Sequence, residues 1–188
     1  MANFDTDSLL VYQAYRPAIA EFAVKNQRFG GEFSFNRMSW IKPNFLWMMY
    51  RCGWASKEDQ EHVLAIRMKR DFFEEILGLA IPSTYDPLRH PSREAWQQAI
   101  TNSEVRLQWD PDHDPFGRPL SRRAIQLGLR GSVLRRYGEQ AVISIEDISD
   151  FVRQQSAMRG EDCAGLMIPV EHAYMPKSIA AKNVGIDT

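Results

Sequence analysis

The sequence predicts a single α/β or α+β domain with a small mixed sheet of about four to six strands flanked by helices. A length of 188 residues favours one hydrophobic core. Short apolar runs typical of strands alternate with segments of helical spacing. Hydrophobic residues make up 44% of the chain and charged residues 25%, as in soluble globular proteins. We expect the domain to span residues 1–160 and an irregular C-terminal tail, packed on the domain, to span residues 161–188.

The first third of the chain predicts one strand and two helices. Residues 9–12 form an apolar run that is typical of a strand. A proline suits the first position of a helix, so residues 17–27 and 43–52 are each predicted to be helical. Gly53 is the expected C-cap of the second helix.

The middle of the chain predicts a second strand and helix unit. Residues 62–68 are nearly all apolar, as in a buried strand, and residues 71–79 have helical spacing. The proline-containing segment 81–91 predicts a loop. A helix over residues 92–101 and a strand over residues 104–109 are expected to follow.

The last segments are predicted from prolines, caps and apolar runs. Residues 110–120 hold three prolines and a glycine, which predicts irregular structure. Ser121 is a plausible N-cap, so residues 121–131 are expected to form a helix, with a short helix over residues 132–137. Residues 141–145 predict the last strand, followed by one more helix.

Charge and terminal sequence bear on location and partners. The net charge is -1 and the pI is near 6.4, so binding to nucleic acid requires a local basic patch. Acidic residues at the start of the chain and the lack of a long apolar stretch predict a cytoplasmic protein without membrane contact. Cys52 and Cys163 have no metal-ligand spacing, so reduced thiols and no metal site are expected.

A basic and polar cluster lies at the predicted start of the second helix. Arg37, Ser39 and Lys42 are close to the unpaired N–H groups and positive dipole end of that helix. A phosphate or carboxylate would bind there. The alternative is that the neighbouring apolar residues form core and that Arg37 and Lys42 only extend to solvent.

Three tryptophans in the same region are candidates for ring stacking. Trp40, Trp47 and Trp54 are spaced by seven residues, and an indole face binds a nucleobase or another flat ligand. The alternative is packing in the core, which the spacing favours for at least one of them.

An acidic segment with one histidine follows the strand at residues 104–109. Trp109 is a candidate to stack a base, and Asp112 or His113 is a candidate general base. The position at a strand end is typical of ligand groups in α/β sheets. The alternative is a solvated turn stiffened by proline.

Residues 116–138 contain six arginines and no acidic residue. Arg122 and Arg123 are candidates to bind phosphate, since guanidinium groups bind phosphate in a bidentate manner. In the predicted helix, Arg122, Gln126 and Arg130 lie on one face. The alternative is that these arginines pair with the aspartates of the preceding segment.

Two further candidates lie where the first strand ends. Tyr12 and Gln13 offer a phenol and an amide at a point where we expect the sheet to open towards a ligand.

The motifs of P-loop NTPases, dinucleotide-binding Rossmann enzymes, elbow-type serine hydrolases and zincins are absent from the sequence. These enzyme classes are therefore disfavoured.

Several segments together resemble one protein family. These are VYQAYRPAIAEFAVKNQRFGG, FSFNRMSWIKPNFLWMMYRCGW, VRLQWDPDHDPFGRPLSRRAIQLGLRG and ISIEDISDFV. With them, residues 9–155 resemble the domain-of-unknown-function family 4291. The resemblance implies a bacterial or fungal cytosolic setting, and it implies no activity.

Two hypotheses on function follow from the residues. In the first, the protein is an enzyme that binds a phosphate-bearing ligand, a nucleotide or nucleic acid, and acts as a nucleotide-dependent transferase of the ADP-ribosyl type. In the second, it is a non-catalytic RNA- or DNA-binding or protein-interaction module, with an exposed apolar patch around Trp47 and Trp54 in the last case. Neither the cofactor nor the oligomeric state follows from the sequence.

Overall fold

The computed structural model describes residues 1–160 and 163–185 and shows one compact α+β domain with two sheets. This confirms the predicted fold class. The strands are β1 (Ser8–Tyr15), β2 (Ser39–Ile41), β3 (His62–Lys69), β4 (Ile81–Pro82), β5 (Val105–His113), β6 (Pro119–Leu129) and β7 (Val142–Asp147). The helices are α1 (Pro17–Asn26), α2 (Phe45–Cys52), α3 (Arg70–Leu79), α4 (Arg93–Asn102), α5 (Gly131–Arg136), α6 (Ser149–Ala157) and α7 (Ser178–Val184). A π-helical turn (Tyr137–Ala141) follows α5.

The first sheet has the strand order β1-β3-β7, and both of its strand pairs are antiparallel. Side chains of β1 alternate between its two faces. Leu9 and Val11 join the larger hydrophobic core, whereas Tyr12 joins a smaller core with Phe45 and Met49 of α2. The sheet is therefore covered on both faces.

The second sheet has the order β2-β6-β5-β4 and is mixed, because only β4 pairs with its neighbour in parallel. The antiparallel pair of β5 and β6 is its centre. A turn joins these two strands, with Gly117 at a φ of 82° and its N–H donating to the carbonyl of Asp114. Positive φ favours glycine at this position.

Two predictions over residues 110–131 are wrong. The helix predicted for residues 121–131 is strand β6, and irregular structure is confined to the turn between His113 and Pro119. Pro111 and Pro119 fit into strands because the register of the β5–β6 pair shifts between Pro111 and His113. The spacing of four between Arg122 and Gln126 does not distinguish a helix from a strand, because residues four apart lie on the same face in both.

The two sheets meet at one short antiparallel bridge. The N–H of Tyr12 donates to the carbonyl of Lys42 at 2.7 Å, and the N–H of Lys42 donates back at 3.3 Å. Beyond this bridge, the end of β1 and strand β2 separate. The separation opens a cleft between the sheets.

The C-terminal segment differs from the expected irregular tail. Residues 178–184 form α7, whose Ala180 and Val184 belong to the larger core and whose Ala181 is also buried. The carboxylate of Glu74 on α3 accepts hydrogen bonds from the Tyr174 hydroxyl and from the N–H of Lys177, which fixes the approach to α7. The part of this prediction that concerns residues 161–162 and 186–188 lies outside the described residues.

Among the helices that the structure describes, none combines the length and the hydropathy needed to cross a membrane.

Candidate functional site

The cleft between the two sheets has a volume of about 850 Å³. Its walls come from the end of β1, from β2, from α2 and from β5 and β6. Five of the residues predicted to bind a ligand line it, namely Gln13, Arg37, Ser39, Trp40 and Lys42. The structure thus brings together the predicted residues from the first two segments of the chain.

A network of polar side chains forms the floor of the cleft. Gln13 donates from Nε2 to Ser39 Oγ at 2.9 Å and to the Trp40 carbonyl at 3.1 Å. Its Oε1 accepts from the buried Tyr137 hydroxyl at 2.9 Å, and the Tyr15 hydroxyl lies 3.0 Å from Ser39 Oγ. Gln13 therefore uses its amide to join the two sheets. Burial raises the pKa of Tyr15 and of Tyr137, so both phenols are neutral hydrogen-bonding groups at neutral pH.

Lys42 is buried at one end of the cleft. Only 4% of the surface of Lys42 is exposed, and its Nζ makes no hydrogen bond or ion pair with any residue that the structure describes. Desolvation and the nearby Arg51 guanidinium lower the pKa of Lys42 to about 8, against the opposing influence of Asp110. A buried ammonium without a counter-ion is costly, so this position favours an anion in the cleft.

The backbone fixes where Lys42 points. It pairs with Tyr12 as described above, and the following Pro43 restricts Lys42 to extended backbone. Asn44 then caps α2 by accepting from the N–H of Trp47 at 2.7 Å. Lys42 is therefore held between two fixed elements.

Two further cations line the cleft without partners. The guanidinium groups of Arg37 and Arg51 make no hydrogen bond or ion pair within residues 1–160 and 163–185. Arg16 also lines the cleft but pairs with Glu32 at 2.7 Å. Asp59 is an exposed carboxylate of the lining whose oxygens have no partner among the described side chains. Unpaired charge in the cleft is thus predominantly positive.

Trp40 forms part of one cleft wall. A Cβ placed on Gly128 of β6 would lie 3.0 Å from two carbons of the Trp40 ring and 2.6 Å from Met38 Sδ. The indole therefore packs directly against the glycine backbone, and the rest of its surface lines the cleft. This placement suits a platform for a flat ring.

Asp112 and His113 lie outside the cleft. Asp112 is 1% exposed, and its Oδ2 pairs with Arg122 Nη2 at 2.6 Å. The His113 ring stacks on Tyr50 with centroids 3.7 Å apart, and the Trp47 ring centroid lies 5.2 Å from that of His113. Both side chains are thus buried behind α2, away from the residues that line the cleft. This arrangement does not support a role for them as general bases there.

The remaining predicted residues are also separated from the cleft. Tyr12 packs against Phe45 in the smaller core, on the opposite face of β1 from Gln13. Trp109 and Arg123 line a second cavity of about 480 Å³, where Arg123 Nη2 donates to the Trp109 carbonyl at 2.6 Å. Arg122 pairs with Asp112, as expected if the arginines of residues 116–138 pair with the aspartates of the preceding segment.

The N-terminus of α2 already holds a carboxylate. Glu171 accepts from the N–H of Phe45 at 2.6 Å and from Asn44 Nδ2 at 2.8 Å. Burial raises the pKa of Glu171 to about 7. The helix start therefore binds a carboxylate of this chain, and the anion site expected there does not face the cleft.

Trp47 and Trp54 are 7% and 6% exposed, so the apolar patch expected of a protein-interaction module at these residues is absent from the surface. Stacking of a ligand ring in the cleft is thus limited to Trp40, the one tryptophan of the three that lines it.

Within the described residues, no group of three or more His, Cys, Asp and Glu side chains is placed to hold a metal ion.

Sequence reasoning missed several residues of the lining. These include Arg51, Asp59 and Gln108, while Gln126 was placed on a helical face with Arg122 and not in the cleft. Arg51 lies nine residues after Lys42, a separation that puts two residues on opposite faces of a helix, so the helical pattern did not indicate that they lie near each other. Gln108 and Gln126 face each other across the β5–β6 pair and both donate to Asp110, which required β6 to be recognised as a strand.

The sequence profile of a family described as Domain of unknown function (DUF4291) matches residues 1–174. The chain therefore belongs to this family, in agreement with the resemblance of its segments. No curated protein matches the chain.

Proposed function

We propose that the cleft binds a phosphate-bearing small molecule of the nucleotide class. The observation that carries this proposal is the Lys42 side chain, which is buried at the cleft and makes no hydrogen bond or ion pair with any described residue. An anionic group bound next to it would replace the solvation that the ammonium loses on folding.

The other lining residues match the remaining parts of a nucleotide. Arg37 and Arg51, which have no partner in the part of the chain that the structure describes, would bind a second phosphate, and Trp40 offers a surface for the base. A volume of about 850 Å³ lies within the range of ordinary small-molecule sites. A nucleotide would therefore satisfy the charge and the aromatic wall together.

The reaction class that we propose is transfer of an ADP-ribosyl group from NAD. Binding of the diphosphate by Lys42 and Arg51 would orient the ribose bonded to nicotinamide. The bond between that ribose and nicotinamide breaks, nicotinamide leaves, and the acceptor bonds to the ribose carbon. Asp59, the unpaired carboxylate of the lining, takes the place of Asp112 and His113 as the candidate base that removes the acceptor proton.

A thermal-shift and calorimetric titration with ADP and NAD tests binding. We expect a saturable rise in Tm with ADP. Lys42→Met should weaken binding about tenfold to a hundredfold, since a hydrogen bond to a charged group is worth about 1.5–3 kcal/mol. Lys25→Met is the matched control, because Lys25 is exposed at the end of α1 and does not line the cleft. Equal binding by both variants would contradict the proposal.

Salt dependence separates this proposal from nucleic-acid binding. Suppose that a short oligothymidylate binds, that its affinity falls steeply with salt and that saturating ADP does not affect it. This result would favour an RNA- or DNA-binding module.

Release of nicotinamide from NAD, measured by chromatography, tests the reaction. Asp59→Asn should lower the rate and leave ADP binding unchanged, whereas release at the native rate would remove Asp59 from the mechanism.

A further inference from the structure

The Lys42 side chain differs from those of the other lysines whose side chains the structure describes. Its backbone is paired with Tyr12, the residue is only 4% exposed, and no described carboxylate lies within ion-pair distance of Nζ. Lys25 and Lys57, by contrast, are exposed, and Lys57 donates to the carbonyl of Arg51 at 2.7 Å. Lys42 therefore combines a fixed position, access from a cleft and an amine without a partner.

We infer that Lys42 is a nucleophilic amine that forms an imine with an aldehyde or ketone carrying a phosphate or carboxylate group. The inference deepens the proposed function, on which it rests for the anion that the same cleft binds. It adds that one class of ligand is held covalently. Imine formation by lysine needs a desolvated amine or a neighbouring cation, and this site has both.

The covalent step balances without an added oxidant or reductant. The lone pair of Lys42 Nζ attacks the carbonyl carbon, and a proton passes from nitrogen to oxygen to give a carbinolamine. Loss of water then gives the imine, and hydrolysis returns the free amine. The open cleft supplies the route for the water.

The surroundings of Nζ favour the neutral amine that this step requires. Desolvation and Arg51 lower the pKa of Lys42, while Asp110 and Cys52 raise it less. Gln108 and Gln126 hold the Asp110 carboxylate, each donating to it at 2.9 Å, and Asp110 raises the pKa of Lys42 less than desolvation and Arg51 lower it. The Arg51 guanidinium thus has two effects, since it disfavours the ammonium form and remains free to bind the anionic end of the ligand.

The test uses pyridoxal 5′-phosphate, an aldehyde with a phosphate group, followed by reduction with sodium borohydride. Peptide mapping by mass spectrometry then gives the extent of labelling at each lysine. We expect Lys42 to be labelled about tenfold faster than Lys25 or Lys57 near neutral pH, because far more of its amine is neutral. Saturating ADP should protect Lys42, and pyridoxal without the phosphate should react more slowly.

Lys42→Arg separates the inference from the proposed function. This variant keeps a cation for ADP but has no amine, so labelling in the cleft should vanish while the ADP-induced rise in Tm remains. Labelling of Lys42 no faster than that of Lys25 in native protein that binds ADP would overturn the inference alone. Fast labelling of Lys42 in protein that does not respond to ADP would instead overturn nucleotide binding and leave the inference standing.

Discussion

The arginine-rich segment 116–138 and the cleft differ in what their cations contact. In the segment, Arg118 pairs with Asp114, Arg122 with Asp112 and Arg136 with Glu75. In the cleft, Arg37, Lys42 and Arg51 have no partner among the described residues. Of the other arginines in the segment, Arg123 and Arg130 donate to backbone carbonyls and Arg135 lies over the Phe35 ring. The segment has more positive charge in the sequence, yet more of the described charge in the cleft makes no contact. Unpaired charge, rather than the density of charge, therefore identifies the candidate site.

Arg122→Ala tests the first half of this comparison and has the largest expected effect. The buried carboxylate of Asp112 would lose its ion pair, which costs about 3–5 kcal/mol for a fully buried pair. Because Arg122 is half exposed, we expect a loss of about 2–3 kcal/mol in the free energy of unfolding, measured with urea. ADP binding should be unchanged. Arg37→Ala, the control from the cleft, should change stability by less than about 0.5 kcal/mol.

Lys42→Met tests the unpaired charge of the cleft. Here we expect the free energy of unfolding to rise, whereas it falls in Arg122→Ala. Replacing an unpaired buried ammonium by an apolar side chain of similar length removes a desolvation penalty. We expect the free energy of unfolding at neutral pH to rise by about 1–2 kcal/mol while ADP binding weakens about tenfold to a hundredfold. A decrease in stability would mean that the ammonium has an interaction within the fold that stabilises it. Lys25→Met should be neutral.

The pH dependence of stability should differ between native protein and Lys42→Met. The pKa of Lys42 is about 8 in the folded protein, below its unfolded value, so the unfolded state binds more protons above pH 8. We therefore compare the difference in the free energy of unfolding between native protein and Lys42→Met at two pH values. From about pH 8 to about pH 9.5, this difference should change by about 1.5 kcal/mol in favour of the native protein. Parallel pH profiles of the two proteins would exclude a lowered pKa.

Tyr137→Phe has the smallest expected effect and concerns the floor of the cleft. It leaves Gln13 Oε1 without its buried donor, which should cost about 1 kcal/mol. Because Gln13 also bonds to Ser39 and Trp40, we expect weaker ADP binding as well. Tyr50→Phe, on an exposed ring, is the control and should alter neither quantity. Unchanged ADP affinity in Tyr137→Phe would show that the floor does not position the site.

Local patterns predicted much of the fold but not β2, β4 or β6. Prolines at the first helical position and Gly53 at a C-cap led to α1 and α2 within two residues of their ends. The segment 121–131 failed because its apolar residues fit both periods, and only pairing with β5 along the whole strand decides between them. The single mixed sheet that was expected is in fact divided into two.

The candidate site was predictable where it is local in sequence and not where it depends on pairing. Ser39, Trp40 and Lys42 line the cleft because β2 and the start of α2 are adjacent in the chain. Asp112 and Arg122 were assigned to the site from their charges, yet the β5–β6 register brings them together as an ion pair. Distant residues such as Glu171, whose carboxylate binds the start of α2, gave no signal in the sequence.

Methionine methyl NMR during a titration with ADP tests most directly where the ligand binds. Met38 and Met48 line the cleft, whereas Met167 and Met175 are exposed elsewhere and serve as internal controls. We expect saturable shifts of the Met38 and Met48 methyl resonances, which in Lys42→Met need about tenfold to a hundredfold more ADP, with Met167 and Met175 unmoved. Binding of ADP that leaves Met38 and Met48 unchanged would contradict it.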